Sequence, residues 1–197
     1  MSYLLLLLVG SCKKENKLFI LRGDTGIKFE NTLDYTEDFN PYTYRNFYNG
    51  AGVSVGDINN DGLIDIYITG NIVPNKLYLN LGNFKFRDIT NQAGVACENV
   101  WSTGSALVDI NGDGLLDIYV CKSGKPTGQK RHNELFINNG DLTFSERSEE
   151  YGLDFTGLSV HASFFDFDKD GDLDCYLLSN SIRSVGGYDL IEDQRNI

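Results

Sequence analysis

Oxygen-bearing side chains recur at alternate positions in three short stretches of the sequence, which we call acidic loops 1, 2 and 3. Counted from the first aspartate of each loop, an aspartate or asparagine stands at positions 1, 3, 5 and 9, and a glycine stands at position 6. The side chains are Asp57, Asn59, Asp61 and Asp65 in loop 1; Asp109, Asn111, Asp113 and Asp117 in loop 2; and Asp166, Asp168, Asp170 and Asp174 in loop 3. Oxygens at this spacing can converge on one cation, and the glycine permits the sharp turn that brings them together.

The donor set of the acidic loops favours calcium. Ca²⁺ accepts about six to eight oxygens in flexible geometry, whereas Mg²⁺ demands a near-ideal octahedron and retains water. By analogy with other loops of this spacing, position 7 is expected to supply a backbone carbonyl, from Leu63, Leu115 and Asp172. We therefore expect about three structural calcium ions.

Two other interpretations of the acidic loops are weaker. Ordinary turns are also rich in Asp, Asn and Gly, but three copies argue against this alternative because uncompensated carboxylates repel one another. An EF-hand needs a glutamate at position 12 and a helix after the loop. The residues at that position are Ile68, Val120 and Leu177, in segments that read as strands.

The loops belong to a repeated unit with strand periodicity. Their first aspartates are 52 and 57 residues apart. After loop 1, the residues at 64, 66 and 68 are isoleucines, and they alternate with Asp65, Tyr67 and Thr69. A period of two predicts a β-strand, and the same alternation follows loops 2 and 3. We interpret the matching tyrosines as packing residues.

Each of the first two units also contains a hairpin pattern. The pattern in residues 76–86 predicts two short strands around a glycine-bearing turn, and the pattern in residues 134–144 predicts the same. With the strands that enter and leave the acidic loop, this gives four strands in a unit of roughly 50 residues, the size of a β-propeller blade. The sequence therefore predicts an all-β protein, a partial β-propeller of about three four-stranded blades with calcium loops.

The third unit has its loop and following strand but not the hairpin pattern, so we expect a fragment of a longer propeller. Propellers close with at least about four blades. One alternative is that several chains assemble into the propeller. Another is that residues 17–49 complete a partial propeller, with the aromatic stretch 39–48 donating a strand. The predicted layout is a signal segment at 1–12, a linker at 13–25 and blades over 26–197, with units near 50–100, 101–158 and 159–197, the last incomplete.

Composition and the N-terminus constrain location and partners. A net charge of −11 and a pI near 4.5 argue against a nucleic-acid partner. The apolar run 4–9 is far shorter than the roughly 20 residues of a membrane-spanning helix. Small residues then precede Cys12, a pattern typical of a bacterial lipoprotein signal with acylation of Cys12. A frayed apolar terminus is the alternative. We expect an extracytoplasmic protein at the outer membrane or cell surface, in contact with the membrane only through its lipid anchor.

The remaining reactive side chains give weaker signals. Cys97, Cys121 and Cys175 lack CxxC spacing, which disfavours zinc, and Cys175 reads as a small core residue. Trp101 could belong to a loop that contacts a ligand, but packing is the favoured interpretation. His132 and His161 are the only histidines, and no nucleophile can be assigned to either from spacing. We predict no catalytic site.

The sequence resembles FG-GAP/VCBS repeats in the three acidic loops and in segments 26–31, 48–57, 75–80, 101–104 and 119–121. These are the calcium-loop blades of integrin α-chain propellers, and the resemblance is closer to bacterial VCBS-repeat lipoproteins associated with ASPIC/UnbV domains. It implies a propeller of about seven blades in full-length members. The function that the resemblance implies is non-enzymatic binding or scaffolding, with a surface protein or glycan as ligand. A propeller-based hydrolase or lyase acting on extracellular polysaccharide is the alternative.

Overall fold

The computed structural model describes residues 18–44, 46–124 and 131–180, and they form ten strands and one short helix in three antiparallel sheets. Sheet 1 contains β1 (Val53–Gly56), β2 (Asp65–Ile68), β3 (Lys76–Asn80) and β4 (Phe86–Asp88), followed by the helix α1 (Thr90–Ala93). Sheet 2 contains β5 (Trp101–Val108), β6 (Asp117–Ser123), β7 (Glu134–Asn138) and β8 (Phe144–Glu146), and sheet 3 contains β9 (Ser159–Phe165) and β10 (Asp174–Ser179). The prediction of an all-β chain with four-stranded antiparallel sheets is confirmed.

Sheets 1 and 2 have the same topology. Their strands are hydrogen-bonded in chain order, and each acidic loop connects the first two strands of its sheet. In sheet 1 the loop closes where Gly56 pairs with Asp65, and in sheet 2 where Val108 pairs with Asp117. Both predicted hairpins are confirmed as β3–β4 and β7–β8. Loop 3 joins β9 to β10 in the same way, and residues 181–197 lie outside the described part of the chain.

Sheet 2 lies between the other two sheets, and successive side chains of β6 pack alternately against one and the other. Ile118 and Val120 pack into the core shared with sheet 1, whereas Tyr119 and Cys121 pack into the core shared with sheet 3. Every residue of β6 and β7 is buried as a result. The core shared with sheet 1 also includes Tyr67, Leu77, Leu79 and Phe136, and the one shared with sheet 3 includes Leu135, Ala162, Phe164, Cys175 and Leu177. The packing predictions are therefore confirmed for Tyr67, Tyr119 and Cys175, whereas the third matching tyrosine, Tyr176, is 65% exposed.

The first strands of the three sheets lie side by side, with β5 in contact with both β1 and β9. Glycine permits this close approach. A Cβ placed on Gly52 would lie 2.7 Å from the carbonyl oxygen of Thr103, and one on Gly104 would lie 2.8 Å from Nδ1 of His161. Thr103 and Gly104 form a bulge in β5, since Ser102 and Ser105 pair with residues only two apart on β6.

The bulge in β5 connects all three sheets by hydrogen bonds. Thr103 Oγ1 donates to the carbonyl of Ser159 (2.8 Å) in sheet 3, and the carbonyl of Thr103 accepts from the hydroxyl of Thr69 at the end of β2. Nearby, the hydroxyls of Ser54 and Ser105 are 2.6 Å apart across sheets 1 and 2. Polar as well as apolar contacts therefore fix the stacking of the sheets.

The alternative in which residues 39–48 donate a strand is wrong for the described residues of that stretch, which form turns. Asn40 stabilises these turns, because its Oδ1 accepts the backbone N–H of Tyr42 at 2.9 Å. The aromatic rings then pack as a cluster on Trp101, which is 4% exposed, with ring centroids 5.3 to 5.6 Å from it. The rings are those of Phe39, Tyr44 and Phe47. The packing interpretation of Trp101 is confirmed, although its main partners come from the N-terminal segment.

Within 18–44, 46–124 and 131–180, no helix is long and apolar enough to cross a membrane. The predicted signal segment with Cys12 and residues 13–17 of the predicted linker lie outside these residues.

Candidate metal centre

The backbone of the three acidic loops turns at the same two places. Position 4 has a positive φ in each, at Asn60 (57°), Gly112 (71°) and Lys169 (65°). The glycine at position 6 also has a positive φ, of 83°, 84° and 99° in loops 1 to 3. This left-handed conformation favours glycine and tolerates asparagine. The local sequence thus fixes a bend at which positions 1, 3 and 5 come together in loops 1 and 2, where Asp61 and Asp113 are hydrogen-bonded to the residues at positions 1 and 3.

A shared set of hydrogen bonds positions the carboxylates. The position-1 aspartate accepts the backbone N–H of the position-6 glycine, at 2.7 Å for Asp57, 2.9 Å for Asp109 and 3.2 Å for Asp166. The position-5 aspartate accepts the N–H of position 7 at 2.8, 2.8 and 2.9 Å. These position-7 residues are Leu63, Leu115 and Asp172. Backbone amides thus hold some of the carboxylate oxygens in place.

The position-9 aspartate is the first residue of the strand that leaves the loop, and in loops 1 and 2 it is fully buried. One oxygen of Asp65 accepts the N–H of Ile58 (3.0 Å) and the other that of Asn80 on β3 (2.7 Å). Asp117 has the equivalent pair of bonds. Burial raises the pKa of both carboxyls, the backbone N–H groups oppose this, and the two nearest loop carboxylates raise it further. A nearby cation would stabilise the ionised form of each.

Loop 3 brings its carboxylates closest together. One oxygen from each of Asp166, Asp168 and Asp174 lies within 4.8 Å of the other two, and all three side chains are exposed. Loops 1 and 2 have Asn59 and Asn111 in place of Asp168, and each amide nitrogen donates to the position-5 carboxylate, at 3.0 and 2.9 Å. Among the described residues, the structure thus groups Asp166, Asp168 and Asp174 at this distance, but not Asp170 and not three carboxylates of loop 1 or of loop 2.

The charge environment of the loops fits a cation. Within the described ranges, the ion pairs of Lys and Arg use Asp24, Asp88, Glu134 and Glu150, and none uses a loop carboxylate. Several carboxylates concentrated at one bend without a basic partner repel one another. Hard oxygen donors in a flexible loop are the ligands that Ca²⁺ prefers. The donor set therefore fits a hard cation such as calcium, and calcium binding stays a prediction.

The sequence interpretation missed the asparagines that connect the loops to the rest of the sheet. Asn138 on β7 donates to the carbonyls of Leu116 and of Ile58, the latter at 2.8 Å and in loop 1. Asn60 donates to the carbonyl of Gly114, so loops 1 and 2 touch directly. Asn80 occupies the position of Asn138 in the first hairpin, and this recurrence is the signal that could have identified both.

A second recurrent asparagine supports the buried tyrosines. The amide of Asn75 donates to the hydroxyl of Tyr67 (2.8 Å), and that of Asn133 to the hydroxyl of Tyr119 (2.9 Å). Each hydroxyl donates in turn to a backbone carbonyl, for example Tyr67 to Val95 at 2.8 Å. The phenol rings are thus buried with their polar ends satisfied.

Sheet 2 also contains a buried ion pair, between β6 and β7, next to a thiol from the segment that follows α1. Lys122, whose side chain is 1% exposed, lies 2.6 Å from Glu134 Oε2, and Cys97 Sγ donates to the same oxygen at 2.9 Å. Burial and the adjacent carboxylate raise the pKa of Cys97 well above its usual range. The thiol therefore stays protonated near neutral pH, which fits a structural role.

Comparisons with known proteins agree with the repeat. Residues 57–120 match the family model described as FG-GAP-like repeat. The chain is similar to cartilage acidic protein 1 of Mus musculus, with 32% identity over 136 residues that cover 68% of this chain and 20% of the relative. The same protein from Xenopus tropicalis is 31% identical over 128 residues (64% and 19%), and that from Homo sapiens 31% over 136 residues (68% and 20%).

The chain spans about a fifth of the length of these relatives. The matched region begins at the first aspartate of loop 1 and ends in β6, so it includes loops 1 and 2 with β2, β3, β4, α1 and β5 between them. Residues 57–120 are therefore similar to an FG-GAP-like repeat.

Proposed function

We propose that this chain is part of a calcium-stabilised β-propeller that acts as a non-enzymatic binding or scaffold module. The observation that carries the proposal is the threefold recurrence of one carboxylate arrangement at the bend between the first two strands of a sheet. The side chains at positions 1, 3, 5 and 9 and the carbonyl at position 7 would hold one Ca²⁺ in each loop. The ion would neutralise the loop charge and fix the turn.

The proposed ions have a structural effect of predictable size. Extracellular calcium modules bind with dissociation constants of about 10⁻⁴ to 10⁻³ M. A site at ten times its dissociation constant stabilises the fold by about 1.4 kcal/mol. Loops 1 and 2 contact each other through Asn60 and Gly114, and Asn138 contacts loop 1. Calcium in one loop would therefore also strengthen the packing of neighbouring sheets.

Two exposed sheet faces support a propeller with further blades. On the side of sheet 1 away from sheet 2, Val53 and Val55 are 62% and 61% exposed. On the side of sheet 3 away from sheet 2, Phe165, Tyr176 and Leu178 are 45%, 65% and 51% exposed. Sheet 2 shows how such faces are buried by a sheet on each side. We infer that further blades of the full-length protein cover both faces, in a ring of about seven.

We propose an extracytoplasmic location, with lipid attachment at Cys12 as in bacterial VCBS-repeat lipoproteins, and a surface protein or glycan as partner. Nucleic acid is not proposed, given the net charge of −11. The proposal of a non-enzymatic role is supported by the placement of the two histidines in different sheets. His132 precedes β7 and forms an isolated antiparallel β-bridge with Thr156, whereas His161 lies on β9.

The stabilising role of calcium is tested by thermal unfolding of the full-length protein. We expect Asp113→Ala to lower the melting temperature in millimolar calcium and to have little effect in chelator, because its carboxylate matters chiefly as a ligand. Asp34→Ala, which removes an exposed aspartate outside the loops, is the matched control and should melt like the wild type in both. Equal melting of the wild type with and without calcium would refute the proposal.

A further inference from the structure

An exposed apolar run lies at the N-terminal end of the described residues. Its four members are 69% to 98% exposed, and they are Leu18, Phe19, Ile20 and Leu21. The protein cannot bury one face of such a run, because an extended chain turns successive side chains to opposite sides. Contiguous exposed apolar side chains are typical of sites that bind a protein or a membrane.

The apolar run precedes the part of the N-terminal segment that packs on sheet 1. Over residues 25–33, half-buried side chains alternate with exposed ones. The N–H of Phe86 on β4 donates to the carbonyl of Thr25 at 2.8 Å, and Lys85 Nζ lies 2.6 Å from Asp24 Oδ2. The fold therefore holds the chain at the β4 edge of sheet 1 from Asp24 onwards and leaves the apolar run uncovered.

The charge around the run is opposite in sign to that of the whole protein. Residues 13–22 contain four basic residues and one acidic residue, a net charge of +3, whereas the whole chain carries −11. The basic residues are Lys13, Lys14, Lys17 and Arg22. The guanidinium carbon of Arg22 lies 5.7 Å from the ring centroid of Phe84, which is itself exposed. The basic residues favour an anionic partner, and the apolar side chains favour one with an apolar interior.

A phospholipid bilayer has both properties. We propose that residues 18–22 bind the surface of an anionic phospholipid membrane. The apolar side chains would enter the boundary between headgroups and acyl chains, and the flanking basic residues would contact lipid phosphates. The proposed anchor at Cys12 lies six residues before Leu18, a distance of at most about 22 Å, so one surface can hold both. The inference adds a second membrane contact to that anchor and does not depend on it.

The test is sedimentation of the full-length protein with vesicles, with Cys12→Ala in every sample to remove the proposed lipid attachment. Vesicles of phosphatidylglycerol and phosphatidylethanolamine are anionic, and we expect the protein to bind them. Phe19→Ser should weaken binding about tenfold or more, the effect of losing one large apolar side chain from the contact. Arg22→Gln should weaken it about fivefold, the effect of one basic residue near an anionic surface, and should have no effect on binding to neutral phosphatidylcholine vesicles.

Tyr42→Ser is the matched control, because it removes a fully exposed aromatic ring outside the run. It should bind like the parent protein. Each measurement is made in calcium and in chelator, since calcium ions can also bridge acidic loops to anionic lipid. Contact through residues 18–22 predicts that Phe19→Ser and Arg22→Gln weaken binding in both solutions.

Three results would overturn the inference. Absence of binding to the anionic vesicles would mean that other parts of the full-length protein cover the run. Binding that Phe19→Ser leaves unchanged would place the contact elsewhere, and binding that requires calcium would indicate bridging by the acidic loops. Thermal unfolding in calcium and in chelator is measured in parallel. Calcium-dependent melting without vesicle binding would refute this inference alone and leave the proposed metal role intact.

Discussion

Replacement of Gly104 by alanine tests the close packing of the first strands. An alanine in a strand is ordinarily more stable than a glycine by about 0.5 to 1 kcal/mol. At Gly104 the added Cβ would instead meet the backbone carbonyl of Val160 and His161 Nδ1 on β9. Overpacking of this kind costs about 1 to 3 kcal/mol. We therefore expect a net loss of about 1 to 2 kcal/mol, or roughly 2 to 8 °C in melting temperature for a domain of this size.

The assay is thermal unfolding of the full-length protein in calcium, followed by circular dichroism. Gly23→Ala is the matched control, because a Cβ there meets no atom within 4 Å. It should leave the melting temperature unchanged or raise it slightly. If Gly104→Ala melts at or above the temperature of the control, β5 and β9 do not pack as closely as described here, and the stacking of the sheets is wrong.

Two further substitutions probe the contacts within the stack. Tyr67→Phe should lower the free energy of unfolding by about 1 to 3 kcal/mol, because it leaves the buried amide of Asn75 without its acceptor. The control Tyr42→Phe, at a fully exposed ring, should not change it measurably. Equal denaturant midpoints for the two variants would contradict this prediction. Lys122→Met should cost about 3 to 5 kcal/mol by leaving Glu134 buried and unpaired, and adding Glu134→Leu should restore much of the loss, which a double-mutant cycle in urea can measure.

The strands and loops could be predicted because their signals are local. Alternation after each acidic loop has a period of two, and β2, β6 and β10 lie where that period places them. The loop spacing, with glycine at position 6, likewise predicted bends between strands, and each loop has the positive φ that such a bend requires. Tyr67 and Tyr119 were correctly interpreted as packing residues because they recur at the same strand position.

Contacts between distant parts of the chain could not be predicted in this way. Asn138 reaches the carbonyl of Ile58, 80 residues earlier, and no local pattern specifies that pairing. The aromatic stretch 39–48 has the composition of a strand, but the turns around Asn40 prevent pairing and its rings pack on Trp101 instead. Burial of Lys122 similarly depends on a glutamate from the neighbouring strand.

The central claim, that the acidic loops bind calcium, is tested most directly by isothermal titration calorimetry of the chelator-treated full-length protein. We predict heat from calcium uptake, with dissociation constants of about 10⁻⁴ to 10⁻³ M, and one equivalent fewer in the Asp113→Ala variant, whose carboxylate belongs to loop 2. Folded protein that takes up no calcium, or the same number of ions bound by wild type and variant, would contradict the account.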